Sequence, residues 1–166
     1  MKIAIISDTH DNLLTLKKTI AWIKSQKIKL IVHCGDVSKE EVLKESLDGF
    51  NGRIYLVRGN CDIDDFKRIP KLKIFDESGE IKLINKKIAF SHFPKIAEDL
   101  ANSGKYDIIF YGHSHKPWIK TFRGGSRQEI KLVNPGNLAG VYYKATFAIY
   151  DTKTDKLELK ILERLG

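Results

Sequence analysis

Three short apolar runs, KIAIIS (2–7), IKLIVHC (28–34) and RIYLV (53–57), are separated by two stretches of helical period. The first stretch sets Leu13, Leu16, Ile20 and Ile23 on one helix face, behind Asp11 or Asn12 as the cap. The second carries Val42, Leu43, Ser46, Leu47 and Phe50 and ends near Gly49–Gly52. The apolar runs read as buried strands. Strand, helix, strand, helix, strand is the order of a parallel sheet joined by crossover helices, and few other arrangements bury both element types from such an order.

The pattern changes after residue 60. Short strands are expected at 73–76, 79–84 and 87–91, with a hairpin turn in INKKI (84–88). Ile96, Ala97, Leu100 and Ala101 predict a third helix, and YDIIFYG (106–112) another strand. From Trp118 onward the chain reads as mostly β: WIKTF, a turn in RGGSRQ, EIKLV, a break at NPGN, then ATFAIY and LELKIL joined by DTKTDK. Neither a linker nor an internal repeat interrupts this order. We therefore expect one mixed α/β domain over 1–166, built on two sheets.

Bulk properties exclude several classes. Two cysteines, Cys34 and Cys61, with no CxxC spacing, form neither a disulfide framework nor a zinc ribbon. No apolar run approaches the ~18 residues of a membrane helix. The apolar segment at the N-terminus is too short for a signal peptide, so the expected location is cytoplasmic. The net charge of +8 favours anionic ligands. The lysines are scattered rather than blocked, which argues against a dedicated nucleic-acid surface.

The polar residues that follow the strands carry the chemistry. Asp8 and His10 follow AIIS, Asp36 follows LIVHCG, Asn60 follows LVRG, His92 follows IAFS, and His113 and His115 follow IIFYG. If these five strands are wound in parallel, all seven side chains lie on one carboxyl edge, where open α/β sheets bind ligands. Each has an ordinary reading alone: a turn aspartate, a Gly-Asn turn, a satisfied core histidine. Together, four of the five histidines stand at strand ends beside acid, amide or another histidine. His33, inside LIVHC, is assigned to the core. Imidazole, carboxylate and amide oxygen suit divalent manganese, iron, zinc, nickel or cobalt. Seven ligands exceed one tetrahedral ion but suffice for two ions that share a carboxylate, and such pairs, ~3.5–4 Å apart, clamp both oxygens of a phosphoryl displacement.

The blocks DTH (8–10), GD (35–36), GN (59–60), His92 and GHSH (112–115) resemble, in order and spacing, those of the calcineurin-like metallophosphoesterases. The start SDTHDN, together with GNCD and NPGN, is most similar to the small YfcE-type phosphodiesterase subgroup. The resemblance implies a four-layer α-β-β-α sandwich. It implies that Asp8, His10 and His115 hold one metal, that Asn60, His92 and His113 hold the other, and that Asp36 bridges. It also implies a metal-bridging hydroxide as nucleophile, with Asn60 and His115 as candidate phosphate contacts. Manganese, nickel or cobalt are expected to support activity, with iron or zinc as alternatives. Asn12 and Cys61 are weaker candidates for substrate contact; Asn12 doubles as a helix cap.

Departures from the wider family are informative. Where many members have GNHE or GNHD, this chain has GNCD, so Cys61 replaces a histidine placed to protonate the leaving oxygen. A thiol of ordinary pKa, ~8.5, substitutes poorly for imidazole near neutrality. Asp62 stands where the acid of GNHD orients that histidine. The block GDVSKEE lacks the arginine of the protein phosphatases' GDxxDRG. Asn137 replaces the serine of the usual NPGS. The expected activity is hydrolysis of a small phosphodiester, by a soluble protein that is monomeric or homo-oligomeric. Two alternatives stand beside it. One is a metal-dependent nuclease acting on single strands, although the DNA-repair branch carries an added capping domain. The other is a protein-interaction scaffold like the retromer subunit of this fold, which would be marked by eroded ligands.

Overall fold

Along β1 (Lys2–Ile6), Ile3 and Ile5 point to one side, Ala4 and Ile6 to the other, and all four are buried. Alternation of side chains along a strand lets one run serve two layers. Ala4 and Ile6 join a cluster with Leu16, Ile20 and Ile23 of α1 (Leu13–Ser25) and Leu43 of α2 (Glu40–Ser46). Ile3 and Ile5 join a second cluster with Val32, Ile88, Phe90, Ile108, Phe110 and Val133. A third cluster sets Ala89, Ile109 and Leu132 against Ala97 and Ala101 of α3 (Pro94–Asn102). Three interfaces between four layers follow: helices, sheet, sheet, helix. Each large apolar side chain taken fully out of water contributes about 1.5–3 kcal/mol.

The computed structural model describes residues 1–83, 86–123 and 129–165. Residues 84–85 and 124–128, where two turns are expected from sequence, lie outside them. The first sheet orders β11 (Lys156–Ile161), β10 (Thr146–Asp151), β1, β2 (Leu30–His33), β3 (Arg53–Val57) and β4 (Leu72–Phe75). Its β1 to β4 run parallel, β10 pairs antiparallel with β1, and β11 pairs antiparallel with β10. The second sheet orders β5 (Ser78–Leu83), β6 (Lys86–Ser91), β7 (Ile108–Phe110), β9 (Glu129–Asn134) and β8 (Trp118–Arg123). There β6, β7 and β9 are parallel, and β5 and β8 antiparallel. This is the expected sandwich, with one correction. The five strands that carry the polar residues do not share a sheet: β1, β2 and β3 belong to the first, β6 and β7 to the second. The two carboxyl edges meet across the inter-sheet core.

Local sequence explains the helix ends. Asn12 caps α1, its Oδ1 accepting from the Thr15 N–H at 3.2 Å. Lys27, with φ 57°, closes the other end, where the Ile28 and Lys27 N–H groups donate to the Ile23 and Lys24 carbonyls. Pro94 opens α3 at the first helical position, where no N–H is needed. Among the described residues, no helix is long and apolar enough to cross a membrane.

Candidate metal centre

All seven polar residues singled out in the sequence converge. His115 Nε2 lies 3.1 Å from His10 Nε2 and 3.4 Å from Asp8 Oδ1. The ligand atoms of Asp8, His10, Asp36 and His115 all fall within 4.8 Å of one another. Beside them, Asn60 Oδ1 lies 3.1 Å from both His92 Nε2 and His113 Nδ1, which are 3.3 Å apart. Asp36 joins the two groups, its Oδ2 3.8 Å from His10 Nε2 and 3.5 Å from His92 Nε2. Nitrogen and oxygen lone pairs aimed at one another repel unless a cation or a proton stands between them. The donor set, imidazole and carboxylate with one amide oxygen, fits first-row divalent ions.

The backbone pays for this convergence. Asp8, His10, Asp36, His113 and His115 all have φ between 40° and 69°. Such left-handed residues cost about 1–3 kcal/mol each and persist where surrounding bonds over-determine them. Here those bonds run between loops. The N–H groups of Asp8, Thr9 and Asp11 donate to the carbonyls of Gly35, Asp36 and Val37, and those of Leu138 and Ala139 to Ser7 and Asp8. The close approach needs glycine at two points. A Cβ on Gly59 would stand 2.1 Å from Asp36 Oδ1, and one on Gly112 would stand 2.1 Å from Ser7 Oγ.

Neighbours set the protonation of the candidate ligands. Burial, with the Asp36 charge adding to it, pushes the Asp8 carboxyl up to about 7, although Ser7 Oγ donates to its Oδ2 at 2.5 Å. Burial holds the His92 and His115 imidazoles below their ordinary pKa, so both present lone pairs at neutral pH. His92 donates from Nδ1 to the Cys34 carbonyl at 2.8 Å, which leaves Nε2 unprotonated and facing the site. A cation held by Asp8 would therefore compete with its proton below about pH 7. Below pH 7 its affinity is expected to fall about tenfold per pH unit for each proton released.

Stability should record this. Asp8 alone lowers the stability of the metal-free fold as pH rises from 3.8, its unfolded value, to about 7. His92 and His115 act in the opposite sense, their contribution being present above 6.5 and lost as pH falls. The increment in Tm produced by added manganese isolates the metal from both effects. At one fixed manganese concentration that increment is expected to grow from pH 5 to 7 and level off above; where the concentration is a hundredfold over Kd it corresponds to about 2.7 kcal/mol of stabilisation. An increment that is flat with pH in differential scanning calorimetry would contradict a protonated Asp8.

The roles of several residues that hold the site escaped the sequence reading. Asp62 is buried, and four backbone N–H groups converge on it. Those of Asp36 and Gly59 donate to Oδ2 at 2.9 and 2.7 Å, and those of Val37 and Ser38 to Oδ1 at 2.6 and 2.8 Å. Both oxygens are therefore committed, which corrects the expectation that Asp62 could orient a side chain at position 61. Asn134 and Asn137, both fully buried, tie down the GHSH turn. Asn134 donates to the Gly112 carbonyl at 2.8 Å, and Asn137 to the His115 carbonyl at 3.2 Å. The signal was the NPGN break itself, two amides at the end of a buried strand. His33 is in the core as expected, but it also accepts the Gly35 N–H at Nδ1 and meets Thr9 Oγ1 at 3.2 Å.

The weaker candidates resolve differently. Asn12 donates from Nδ2 to the Ala139 carbonyl at 2.9 Å while capping α1, so both ends of its amide have structural partners. Cys61 is half-buried. Its N–H donates to Asp36 Oδ1 at 2.9 Å, and its sulfur accepts from Asn60 Nδ2 at 3.3 Å, which turns Asn60 Oδ1 toward His92 and His113. Burial and the Asp36 charge raise the thiol pKa, so the sulfur is neutral near pH 7.

The model of the calcineurin-like phosphoesterase superfamily domain matches residues 1–155. This chain belongs to that superfamily. It is thus a hydrolase of phosphoric esters. A phosphodiesterase of Methanocaldococcus jannaschii is 29% identical over 98% of this chain and 100% of its own. The solved structure of YfcE, a phosphoesterase of Escherichia coli, aligns with a TM-score of 0.68 and 19% identity over 98% of this chain and 100% of that one. Vps29 of Entamoeba histolytica, solved in complex with zinc, aligns with a TM-score of 0.67 and 18% identity over 98% and 99%. At those identities the two structures share the fold alone with this phosphoesterase.

Proposed function

We propose that this protein acts as a single domain to hydrolyse small phosphodiesters with two divalent cations. The observation that carries the reading is Asp36 Oδ2, which lies between two donor groups that each combine imidazole nitrogen with oxygen. In this assignment Asp8, His10 and His115 hold one cation, Asn60, His92 and His113 hold the other, and Asp36 is shared. Manganese, nickel, cobalt, iron and zinc all suit these donors. Bound as a pair, such ions supply a hydroxide nucleophile near neutral pH and offset charge on the phosphoryl oxygens. The relative named a phosphodiesterase supports the substrate class. The scaffold alternative calls for eroded ligands, and all seven positions are filled and convergent.

The chain's own groups set the limits of the reaction. Asn60 and His115 border the space that a phosphoryl group would enter. Cys61 holds its proton more tightly than an ordinary thiol and shares it with Asp36, so it offers little acid help to a departing oxygen. Leaving groups must then carry their own charge. Diesters of nitrophenols should be cleaved readily and simple alkyl monoesters slowly.

The test is the dependence of rate on leaving-group pKa in the wild type and in Cys61→His. General acid help is typically worth ~10²–10⁴-fold. Because Asp62 cannot orient the new imidazole, the expected gain for poor leaving groups is at the lower end, about 10²-fold. A shallower slope in the variant supports the reading. Parallel lines, with metal content unchanged, would show that protonation at this position does not limit the reaction.

A further inference from the structure

Phe93 follows the candidate ligand His92 directly and is 37% exposed. Its ring centroid lies 4.9 Å from that of His92 and 5.1 Å from that of His113. Single exposed apolar side chains are ordinary on a protein surface. Phe93 is distinguished by its surroundings: it belongs to none of the three apolar clusters that hold the fold, and its ring neighbours are the two imidazoles. Its backbone is held firmly. It caps α3 at φ −82°, ψ 136°, the extended conformation that a following proline favours. Its carbonyl accepts from the Ala97 N–H and from Ser91 Oγ. A rigid aromatic ring thus stands beside the second donor group with area left to solvent.

We propose that Phe93 is a stacking platform for a planar aromatic group carried by the substrate, on the His92 and His113 side of the centre. The inference rests on the phosphodiesterase reading and deepens it, since it names aryl esters as the preferred class. Pre-organised aromatic rings lose little entropy on stacking, and stacking on a protein aromatic is sequence- and substituent-tolerant because every planar ring has a π-face. Phosphonates probe this without turnover. Metal-loaded protein should bind phenylphosphonate about tenfold more tightly than methylphosphonate in titration calorimetry. Bound 4-fluorophenylphosphonate should show an upfield ¹⁹F shift from the Phe93 ring current.

Phe93→Ala should bring the affinity ratio close to one and remove the upfield shift. Phe93→Leu keeps apolar packing on the imidazoles but lacks a plane, and should lose most of the ratio. Phe93→Tyr should keep it. Metal content by atomic emission is read for each variant, so that a disturbed ligand set is seen as such. Equal affinity of the wild type for the two phosphonates overturns the platform, and so does a ratio that survives in Phe93→Ala. If the wild type binds neither phosphonate and cleaves no diester when loaded with metal, the phosphodiesterase reading fails and this inference falls with it.

Discussion

Asp36→Asn is expected to lower kcat/KM for a phosphodiester by about a thousandfold or more at saturating metal, while leaving the metal-free fold at least as stable. The geometry gives both halves of this result. Asp36 Oδ1 accepts the Cys61 N–H, and in the variant the amide oxygen will keep that bond. The amide NH₂ then faces His10 and His92, where a shared carboxylate oxygen stood. An NH₂ group is no metal ligand, so on the proposed assignment the shared donor is lost together with its charge. Interactions aimed at developing charge are worth about 10²–10³ per donor removed, and in that assignment one donor serves both ions. Stability moves the other way because Asp36 repels the buried Asp8 carboxyl in the metal-free protein. The Tm without metal should hold or rise, and the increment on adding manganese should shrink. Exhaustive chelation of the wild type should abolish turnover, and manganese, nickel or cobalt should restore it. Unaltered turnover after chelation would remove metals from the mechanism altogether.

Asp62→Ala is expected to fail in the opposite way, through the scaffold. Four backbone N–H groups lose their acceptor at once. Each buried donor left unsatisfied costs about 1–3 kcal/mol, and water entering the space recovers part of this. A net loss of about 3 kcal/mol is reasonable even after allowing for the relief of repulsion that Asp62 exerts on Asp8. For a chain of this length that is a drop of about 6–12 °C in Tm. Asp62 touches no candidate ligand atom and is a positioning residue. Its loss should lower metal affinity by freeing the loops that carry Asp36 and Asn60. Asp62→Asn keeps one acceptor oxygen but turns an NH₂ toward two donors, so an intermediate loss is expected. A Tm without metal that is unchanged in Asp62→Ala would show that these four bonds do not hold the loops. The signs separate the two aspartates: metal-free stability is kept at Asp36 and lost at Asp62.

The candidate ligand set was legible from sequence because its signals are local. Each candidate follows an apolar run long enough to be a strand and short enough to end at a defined residue. At five such ends the next polar side chains are of metal-binding type. Both layers of helices were legible for the same reason, since Leu16, Ile20 and Ile23 recur at helical spacing and are buried on one face. Tertiary structure alone decided the rest. Period-2 burial does not say which sheet a strand joins, and only pairing placed β6 and β7 across the core from β1, β2 and β3. Asp62 reads as a partner for position 61, because its role depends on N–H groups up to 26 residues away. Asn137 reads as a variant of a turn serine, because its partner is the carbonyl of His115. Nothing in the sequence singles out Phe93, because whether a ring is buried depends on what packs over it. Backbone periodicity is written in neighbouring residues, whereas the partners of a buried carboxylate, an amide or a ring are set by loops that meet only after the sheets have packed.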